Sequence, residues 1–307
     1  MENIIVTERL SKAYGDIKAV NDLSINVRKG EIYGFIGLNG AGKTTTIRML
    51  LGMNKASSGQ AYINGKKLDG DNLNLWKEIG YLVEIPYSYP KLTVRENLEI
   101  SRRYRFINDK SAIDVVMDKL RISKYANRKA NNLSLGNAQR LGLAKALIHN
   151  PSILILDEPS NGLDPAGIYE IRELLKELTE NQGVTVFVSS HILGEVSKFS
   201  SRIGIIDEGY LIQELNASEL ESRCEKKLLV STRNNDLAKL VLNQNGYNIY
   251  NNKDNIMEIT DGSAIANADK IASLLSSKGC PPQLLYPEEE NLESYFLRII
   301  KKKGEKK

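Results

Sequence analysis

The segment Gly37-Leu38-Asn39-Gly40-Ala41-Gly42-Lys43-Thr44 constrains the fold of this chain more than any other feature. It fits the pattern G-x-x-x-x-G-K-[ST], in which glycines let a loop wrap tightly so that backbone N–H groups converge on a phosphate. Residues 31–36 before it are mostly apolar and predict a buried strand, and residues 44–51 predict a helix. Strand, glycine loop and helix are the context that a P-loop requires. The segment therefore predicts an α/β fold with a phosphate site where this helix begins.

Two further apolar runs predict strands beside the first. Residues 152–156 and 184–188 are short and largely apolar, which is typical of parallel strands buried on both faces. Between them, Asp164-Pro165 predicts the start of a helix that ends near Gly183. This β-α-β pattern predicts an open, mostly parallel sheet within residues 1–215.

Two other regions differ from this core. At about residues 87–150 the sequence predicts successive helices without strands, one of them opened by a capping box at Thr93 and Glu96, so we expect an inserted helical subdomain. Residues 216–307 predict a second, small α+β domain. Its predicted elements are strands at 228–231, 248–250, 256–259 and 283–286, helices at 236–243 and 269–278, and a terminal helix with Leu292, Tyr295, Phe296 and Ile299 on one face. The order β-α-β-β-α-β suggests a ferredoxin-like arrangement.

Composition and charge limit the class of protein. The 42 basic and 38 acidic side chains are interleaved and give a net charge of +4, so no nucleic-acid partner is expected. No apolar stretch approaches the roughly 20 residues that cross a bilayer, and the N-terminus carries acids where a signal peptide carries bases. Cys224 and Cys280 show no CxxC spacing, which indicates a reducing compartment and no structural zinc. We expect a cytosolic chain whose membrane role, if it has one, goes through a partner.

The glycine loop has specific predicted contacts. Lys43 is predicted to reach the β- and γ-phosphate oxygens, Thr44 to bind Mg²⁺ and Thr45 to contact the α-phosphate. Lys43 and Thr44 exclude a dinucleotide-binding loop, which would carry a third glycine there. The loop residues predicted to bind nucleotide are Gly37, Leu38, Asn39, Gly40, Ala41, Gly42, Lys43, Thr44 and Thr45.

Two adjacent acids follow the second apolar run. Asp157 is predicted to hold Mg²⁺ through water, and Glu158 to polarise the attacking water in phosphate hydrolysis. Adjacent acids after a strand often only face solvent. Their position downstream of a P-loop favours the catalytic interpretation.

The segment Leu133-Ser134-Leu135-Gly136-Asn137 narrows the family. Taken alone, Ser134 would be an ordinary helix cap. In the company of the other motifs, the segment resembles the signature motif of ATP-binding cassette (ABC) ATPases, whose usual form is L-S-G-G-Q. Leu135 and Asn137 depart from that form, whereas Ser134 and Gly136 are kept. The resemblance implies that these four residues face the γ-phosphate of ATP bound to an opposite subunit.

The resemblance to ABC ATPases extends over about residues 1–215. It implies that Tyr14 stacks on adenine, although a plain surface tyrosine is the alternative. It also implies that Asp164 belongs to the D-loop between two ATP sites, besides capping its helix. His191 matches the switch histidine that contacts the γ-phosphate, so the implied catalytic residues are Lys43, Glu158 and His191. The family implies ATP and Mg²⁺ as ligands, a head-to-tail homodimer and a separate membrane permease.

One departure indicates a branch of the family. Glu84 replaces the glutamine of the Q-loop. At this position the resemblance implies a third metal contact, besides those of Thr44 and Asp157. Glutamate can accept a hydrogen bond there but, unlike glutamine, cannot donate one. This segment, together with Leu135 and residues 92–98 and 189–193, resembles the bacitracin and lantibiotic branch, and residues 292–297 resemble the closing motif of related drug exporters. The branch implies an ATPase subunit on the cytoplasmic face of the membrane that powers export of antimicrobial peptides or drugs.

Two other functions stay open at this point. A soluble cassette protein acting on ribosomes or DNA is the main alternative, although the chain has a single cassette and lacks a heptad run. The C-terminal domain could also act as a ligand sensor that regulates the ATPase.

Overall fold

The computed structural model describes residues 2–68, 73–84, 86–251 and 256–304. Contacts within the chain divide it into two compact units, Met1–Ser218 and Glu219–Lys307. Within the described residues, no helix has both the length and the apolar character needed to span a bilayer.

The first unit contains both strands and helices. Its strands are β1 (Asn3–Tyr14), β2 (Ile17–Arg28), β3 (Ile32–Ile36), β4 (Ser58–Ile63), β5 (Lys66–Lys67), β6 (Ile79–Leu82), β7 (Ile153–Asp157), β8 (Thr185–Ser190), β9 (Arg202–Asp207) and β10 (Tyr210–Asn216). Its helices are α1 (Lys43–Leu50), α2 (Val94–Tyr104), α3 (Ala112–Lys119), α4 (Leu135–Leu147), α5 (Pro165–Gln182) and α6 (Leu193–Val196).

The predicted parallel sheet is confirmed. Over the described residues its strand order is β10-β9-β3-β8-β7-β6, and every neighbouring pair is parallel except β10 with β9. All residues of β3, β7 and β8 are buried, as expected for apolar strands covered on both faces. This arrangement brings the carboxyl ends of β3, β7 and β8 to one edge.

A second sheet in this unit is absent from the sequence predictions. Strands β2, β1, β4 and β5 pair antiparallel in that order in the part of the chain that the structure describes. Buried and exposed residues do not alternate along β1, and its pairing with β2 shifts register at several points. Because bulges of this kind remove the period-two pattern, the sequence of β1 does not read as a strand.

The predicted helical insertion is confirmed. Apart from one isolated bridge between Thr93 and Lys129, described residues 87–150 form helices and turns and no strand. The predicted capping box opens α2: the Glu96 backbone N–H donates to Thr93 Oγ1 at 3.2 Å, and the Thr93 N–H donates to Glu96 Oε2 at 2.7 Å. Two orphan N–H groups of the first turn are thereby satisfied.

The second unit contains the elements of the predicted β-α-β-β-α-β order and the terminal helix, together with two short helices that were not predicted. In chain order the elements are α7 (Leu220–Arg223), β11 (Lys226–Thr232), α8 (Asn235–Gln244), β12 (Ile249–Asn251), β13 (Met257–Ile259), α9 (Gly262–Ala266), α10 (Ala268–Ser277), β14 (Pro282–Glu289) and α11 (Leu292–Gly304), and the two that were not predicted are α7 and α9. The described strands form an antiparallel sheet in the order β12-β13-β11-β14. Numbered 1 to 4 in chain order, β11, β12, β13 and β14 lie side by side in the order 2-3-1-4. Read from the opposite edge, this is the 4-1-3-2 order of a ferredoxin-like sheet. Tyr295 and Phe296 of α11 are buried, as the terminal apolar face predicts.

His149, just beyond the end of α4, is a half-buried neutral imidazole. Its Nε2 lies 3.1 Å from the carbonyl oxygen of Ile79, and its Nδ1 is buried without a hydrogen-bond partner within the described residues. Burial, reinforced by the nearby Arg105 guanidinium, lowers the pKa of His149 to about 4.

This pKa predicts a loss of stability in mild acid. The unfolded chain, with a histidine pKa of about 6.5, binds more protons than the folded chain between pH 6.5 and 4. The contribution of neutral His149 to the free energy of unfolding is therefore fully present above pH 6.5 and is lost as the pH falls toward 4. After allowance for partial solvent exposure, this loss is about 1–2 kcal/mol. His149→Gln should flatten this slope in urea unfolding measured across that range. Parallel curves for the two proteins would assign the slope to other groups.

Candidate nucleotide site

At three of its positions, the loop between β3 and α1 has a backbone that disfavours any residue but glycine. Gly40 and Gly42 have φ values of 85° and 106°, in the region that side chains disfavour. A Cβ atom on Gly42 would lie 2.4 Å from the carbonyl oxygen of Ala19, and one on Gly37 would lie 2.5 Å from that of Ile206. The two outer glycines therefore let the loop pass against neighbouring backbone.

Lys43, the first residue of α1, reaches back across this loop. Its side chain is 6% exposed, and Nζ donates to the carbonyl oxygens of Gly37 at 2.7 Å and Leu38 at 3.2 Å. Nζ also lies 3.2 Å from Glu158 Oε1. The ammonium is thus held between the loop and the predicted catalytic acid.

Asp157, the last residue of β7, is buried and fully engaged. Thr44 Oγ1 donates to Asp157 Oδ2 at 2.7 Å, and Ser189 Oγ donates to Oδ1 at 2.6 Å. Asp157 and Ser189 are direct neighbours in the parallel register of β7 and β8. The sequence predictions paired Thr44 with Asp157 as metal ligands but missed Ser189. Its position at the end of the apolar run beside Asp157 was the available signal.

Glu158 turns sharply out of β7. Its φ of 50° is in the left-handed region, and its backbone N–H donates to Ser189 Oγ at 3.1 Å. Glu158 Oε2 lies 2.8 Å from His191 Nδ1. Oε1 is buried and, despite the ion pair with Lys43, has no hydrogen-bond donor among the described residues. The structure thus brings the three predicted catalytic residues, Lys43, Glu158 and His191, into one chain of contacts.

Tyr14, at the end of β1, presents a partly open ring. The residue is 49% exposed, and its hydroxyl accepts a hydrogen bond from Asn54 Nδ2 at 2.7 Å. Lys12 Nζ lies 4.9 Å from the ring centroid. This geometry fits both a stacking platform and a surface tyrosine, so the adenine contact stays a prediction.

The signature-like segment contacts the D-loop of its own chain. Ser134 is the N-cap of α4 and accepts hydrogen bonds from Asn137 N at 3.4 Å and Asn137 Nδ2 at 3.0 Å. A Cβ atom on Gly136 would lie 3.0 Å from the carbonyl oxygen of Gly162. Leu135 is 60% exposed. Across the described residues, no hydrogen bond joins residues 134–137 to the glycine loop 37–44. The helix-cap interpretation of Ser134 is confirmed, and the nucleotide contact stays a prediction.

Asp164 also acts as a helix cap. Its side chain accepts a hydrogen bond from the Gly167 N–H at 2.9 Å at the start of α5. The capping role is confirmed, whereas its D-loop role stays a prediction.

Glu84 points to an unexpected partner. It follows β6 with a φ of 53°, and its Oε2 accepts a hydrogen bond from Arg48 Nη2 on α1 at 2.8 Å. The sequence predictions did not identify Arg48. The predicted metal contact of Glu84 stays a prediction, because the described geometry directs this carboxylate to a guanidinium.

We expect Glu84→Gln to leave ATP affinity within about threefold of wild type. The side chains of Arg48 and Glu84 are 40% and 51% exposed, and exposed ion pairs contribute about 0–1 kcal/mol. Glutamine can still accept the Arg48 hydrogen bond. Titration with a fluorescent ATP analogue measures the affinity, with Glu173→Gln on α5 as a control for the loss of one surface charge. Loss of ATP binding in Glu84→Gln alone would contradict this expectation.

The residues at this edge suit a magnesium ion bound together with phosphate. Mg²⁺ commonly takes one or two carboxylates and completes its coordination with water and substrate phosphate oxygens. The Asp157 carboxylate and the Thr44 hydroxyl, which lie together, could be the two protein ligands of such an ion. Among the described residues, no cluster of three or more histidine, cysteine or acidic side chains could hold a metal by itself.

The fold and the site together define a P-loop ATPase. Residues 20–161 match the family described as ABC transporter. The chain is 40% identical over 303 residues to the bacitracin transport ATP-binding protein BcrA of Bacillus licheniformis, covering 98% of each chain. It is 36% identical over 229 residues to the lantibiotic transport ATP-binding protein SrtF of Streptococcus pyogenes, covering 74% of this chain and 98% of that relative. This chain belongs to the ABC transporter family.

A solved structure gives the same fold. The ATP-binding cassette MJ0796, a dimer in a post-hydrolysis state bound to ADP and Pi, superposes with a TM-score of 0.65 at 28% identity. The match covers 70% of this chain and 99% of MJ0796. The predicted cassette fold is thereby confirmed for the first unit.

Proposed function

We propose that this chain hydrolyses ATP to power the export of peptide antibiotics, of the bacitracin or lantibiotic kind, through a separate membrane permease. The observation that carries the proposal is the contact chain Lys43–Glu158–His191 beside the Thr44–Asp157 pair. These groups lie in a chain that aligns over nearly its full length with a bacitracin transport protein. In this proposal the permease supplies the membrane path, and this chain works at the cytoplasmic face.

The proposed chemistry assigns a task to each group. The glycine loop and Lys43 bind the phosphates, with Lys43 exchanging its carbonyl contacts for phosphate oxygens. Thr44 and Asp157 hold Mg²⁺, which when bound neutralises charge on the phosphates. Glu158 orients the attacking water, and His191 holds the Glu158 carboxylate and contacts the γ-phosphate.

We further propose that a second copy of this chain completes each ATP site. Leu135 and Gly136 lie against the D-loop of their own chain, and residues 134–137 make no described hydrogen bond to their own glycine loop. In a head-to-tail dimer these residues face the partner's nucleotide, with Asp164 between the two sites. The dimeric MJ0796 cassette supports this arrangement. Tyr14 then contributes the adenine platform.

An exposed aromatic surface supports the permease as partner. Tyr81, Tyr87 and Tyr104 are 39%, 71% and 78% exposed and line a groove of about 760 Å³ that also includes Glu84. Clustered exposed aromatic surface marks protein interaction sites. Because Glu84 follows β6 and pairs with α1, a permease segment seated here would contact the helix that follows the glycine loop.

A complementation experiment tests the proposed function. A deletion strain should become more susceptible to bacitracin or to lantibiotics, and the wild-type chain should restore resistance only when its permease is present. Glu158→Gln should fail to restore it, whereas Glu173→Gln should succeed. Unchanged susceptibility to every peptide antibiotic tested would refute the proposed substrate class. A chain that stays out of membranes when the permease is co-expressed would favour the soluble alternative.

A further inference from the structure

We infer that Gln139 is a positioning residue that fixes the backbone from which Glu158 projects. This inference rests on the proposed role of Glu158. Gln139 lies on α4, is 2% exposed, and was not identified from the sequence. Its Nε2 donates to the carbonyl oxygen of Glu158 at 3.3 Å and to that of Pro159 at 3.1 Å. The amide nitrogen therefore lies within hydrogen-bond distance of two successive carbonyl oxygens of the turn that carries the acid.

This turn requires external support. A non-glycine residue in the left-handed region costs about 1–3 kcal/mol and persists only where its surroundings hold it. The Glu158 N–H is held by Ser189 Oγ, and the Glu158 carbonyl accepts from both Gln139 and the Asn161 N–H, the latter at 3.1 Å. Because hydrogen bonds fix the peptide groups on both sides of Glu158, only rotation about its side-chain bonds can move the carboxylate between Lys43 and His191.

The chemistry of the amide matters as much as its size. Methionine at 139 would fill similar space but would remove the donor to two carbonyl oxygens, one of them in a buried contact. The bond also links two parts of the proposed machinery. Ser134, at the N-cap of α4, lies about one and a half helical turns before Gln139, so the signature segment is joined to this chain's own catalytic acid.

The neighbouring residue provides a matched comparison. Arg140 Nη2 lies 2.7 Å from Glu170 Oε2 of α5, and Arg140 Nη1 donates to the Leu120 carbonyl at 3.2 Å. Arg140 and Glu170 side chains are 13% and 23% exposed. Removing this largely buried ion pair loosens α4 from α5 without removing a hydrogen bond to the Glu158 turn. Gln139→Met and Arg140→Met therefore separate positioning of the acid from attachment of the helix.

The test uses the full chain and measures ATP hydrolysis, ATP affinity and thermal unfolding for each variant. We expect Gln139→Met to lower kcat by 10–100-fold, because a displacement of about 1 Å at a reacting group costs up to 100-fold, while the Kd for ATP stays within threefold. Arg140→Met should lower the unfolding temperature more and kcat by less than threefold. Should Gln139→Met not fold, Gln139→Asn withdraws the amide by one methylene and is expected to lower kcat in the same way.

Two results would overturn the inference. One is a kcat for the Gln139 variants within threefold of wild type. The other is a fall in kcat for Arg140→Met as large as that for Gln139→Met when the two variants lose the same stability. Gln139 would then contribute only through packing. Glu158→Gln, assayed in parallel, separates this inference from the proposed function. If Glu158→Gln hydrolyses ATP normally, the catalytic role of Glu158 fails, whatever the Gln139 variants show.

Discussion

Replacing Glu158 with glutamine is expected to lower ATP turnover at least 100-fold while ATP binding persists. The amide keeps the size of the side chain but only one acceptor oxygen, so it cannot accept from both Lys43 and His191, which contact the two carboxylate oxygens of Glu158 at 3.2 and 2.8 Å. It removes the negative charge that polarises the attacking water, and general-base catalysis contributes about 100- to 10,000-fold. Phosphate release measures turnover, and light scattering with ATP and Mg²⁺ should detect an accumulated ATP-bound dimer.

The control for this result is Glu173→Gln. Glu173 lies on α5 with its side chain 45% exposed, so its loss changes the net charge equally without touching the site. Turnover of that variant should match wild type. Normal turnover by Glu158→Gln would show that another group orients the water, and failure of the ATP-bound form to dimerise would count against the shared site.

Gly42→Ala should weaken ATP binding by at least 100-fold. The added Cβ atom would meet the Ala19 carbonyl oxygen at 2.4 Å, and the φ of 106° is unfavourable for alanine. Two backbone segments must therefore separate at the residue before α1, which displaces Lys43 and Thr44. A change of about 3 kcal/mol in binding free energy corresponds to roughly 100-fold in Kd. Calorimetric titration with ATP measures the change.

Gly183→Ala separates this clash from backbone strain. Gly183 ends α5 with a φ of 68°, and no atom lies within 4 Å of the position that an added Cβ would take. This variant should lose about 1 kcal/mol of stability through strain and keep its ATP affinity. Equal affinities for the Gly42 and Gly183 variants would show that the loop tolerates a side chain.

Much of the site follows from the sequence because its residues end buried parallel strands. Apolar runs predicted β3, β7 and β8, and parallel neighbours present their carboxyl ends at one edge. The glycine loop, Asp157 and His191 each end or follow one of these strands, so their proximity could be inferred before their contacts were known. The capping box at Thr93 and the caps at Ser134 and Asp164 were also predictable, since each depends on residues three positions apart.

The remaining contacts depend on tertiary placement. Arg48 and Glu84 are 36 positions apart, and Gln139 and Pro159 are 20 apart, with no local pattern that pairs them. The antiparallel sheet was missed at β1, where register shifts accompany the loss of alternation, although Leu23, Ile25 and Val27 of β2 do alternate with exposed residues. Sequence patterns therefore identified the chemical groups more readily than the residues that hold them in place.

The contact between Leu135 and Gly162 has an evolutionary consequence. A Cβ atom on Gly162 would lie 2.4 Å from Leu135 Cδ2, so the leucine occupies space that glycine leaves open. The usual signature has glycine at the position of Leu135. A relative with glycine at this position has no side chain next to residue 162. Gly162 also has a φ of 77°, which disfavours any side chain, so glycine is required at 162 by its backbone as well as by Leu135. Two independent constraints therefore confine position 162 to glycine in this chain, whereas a relative with glycine at 135 would have only the backbone constraint.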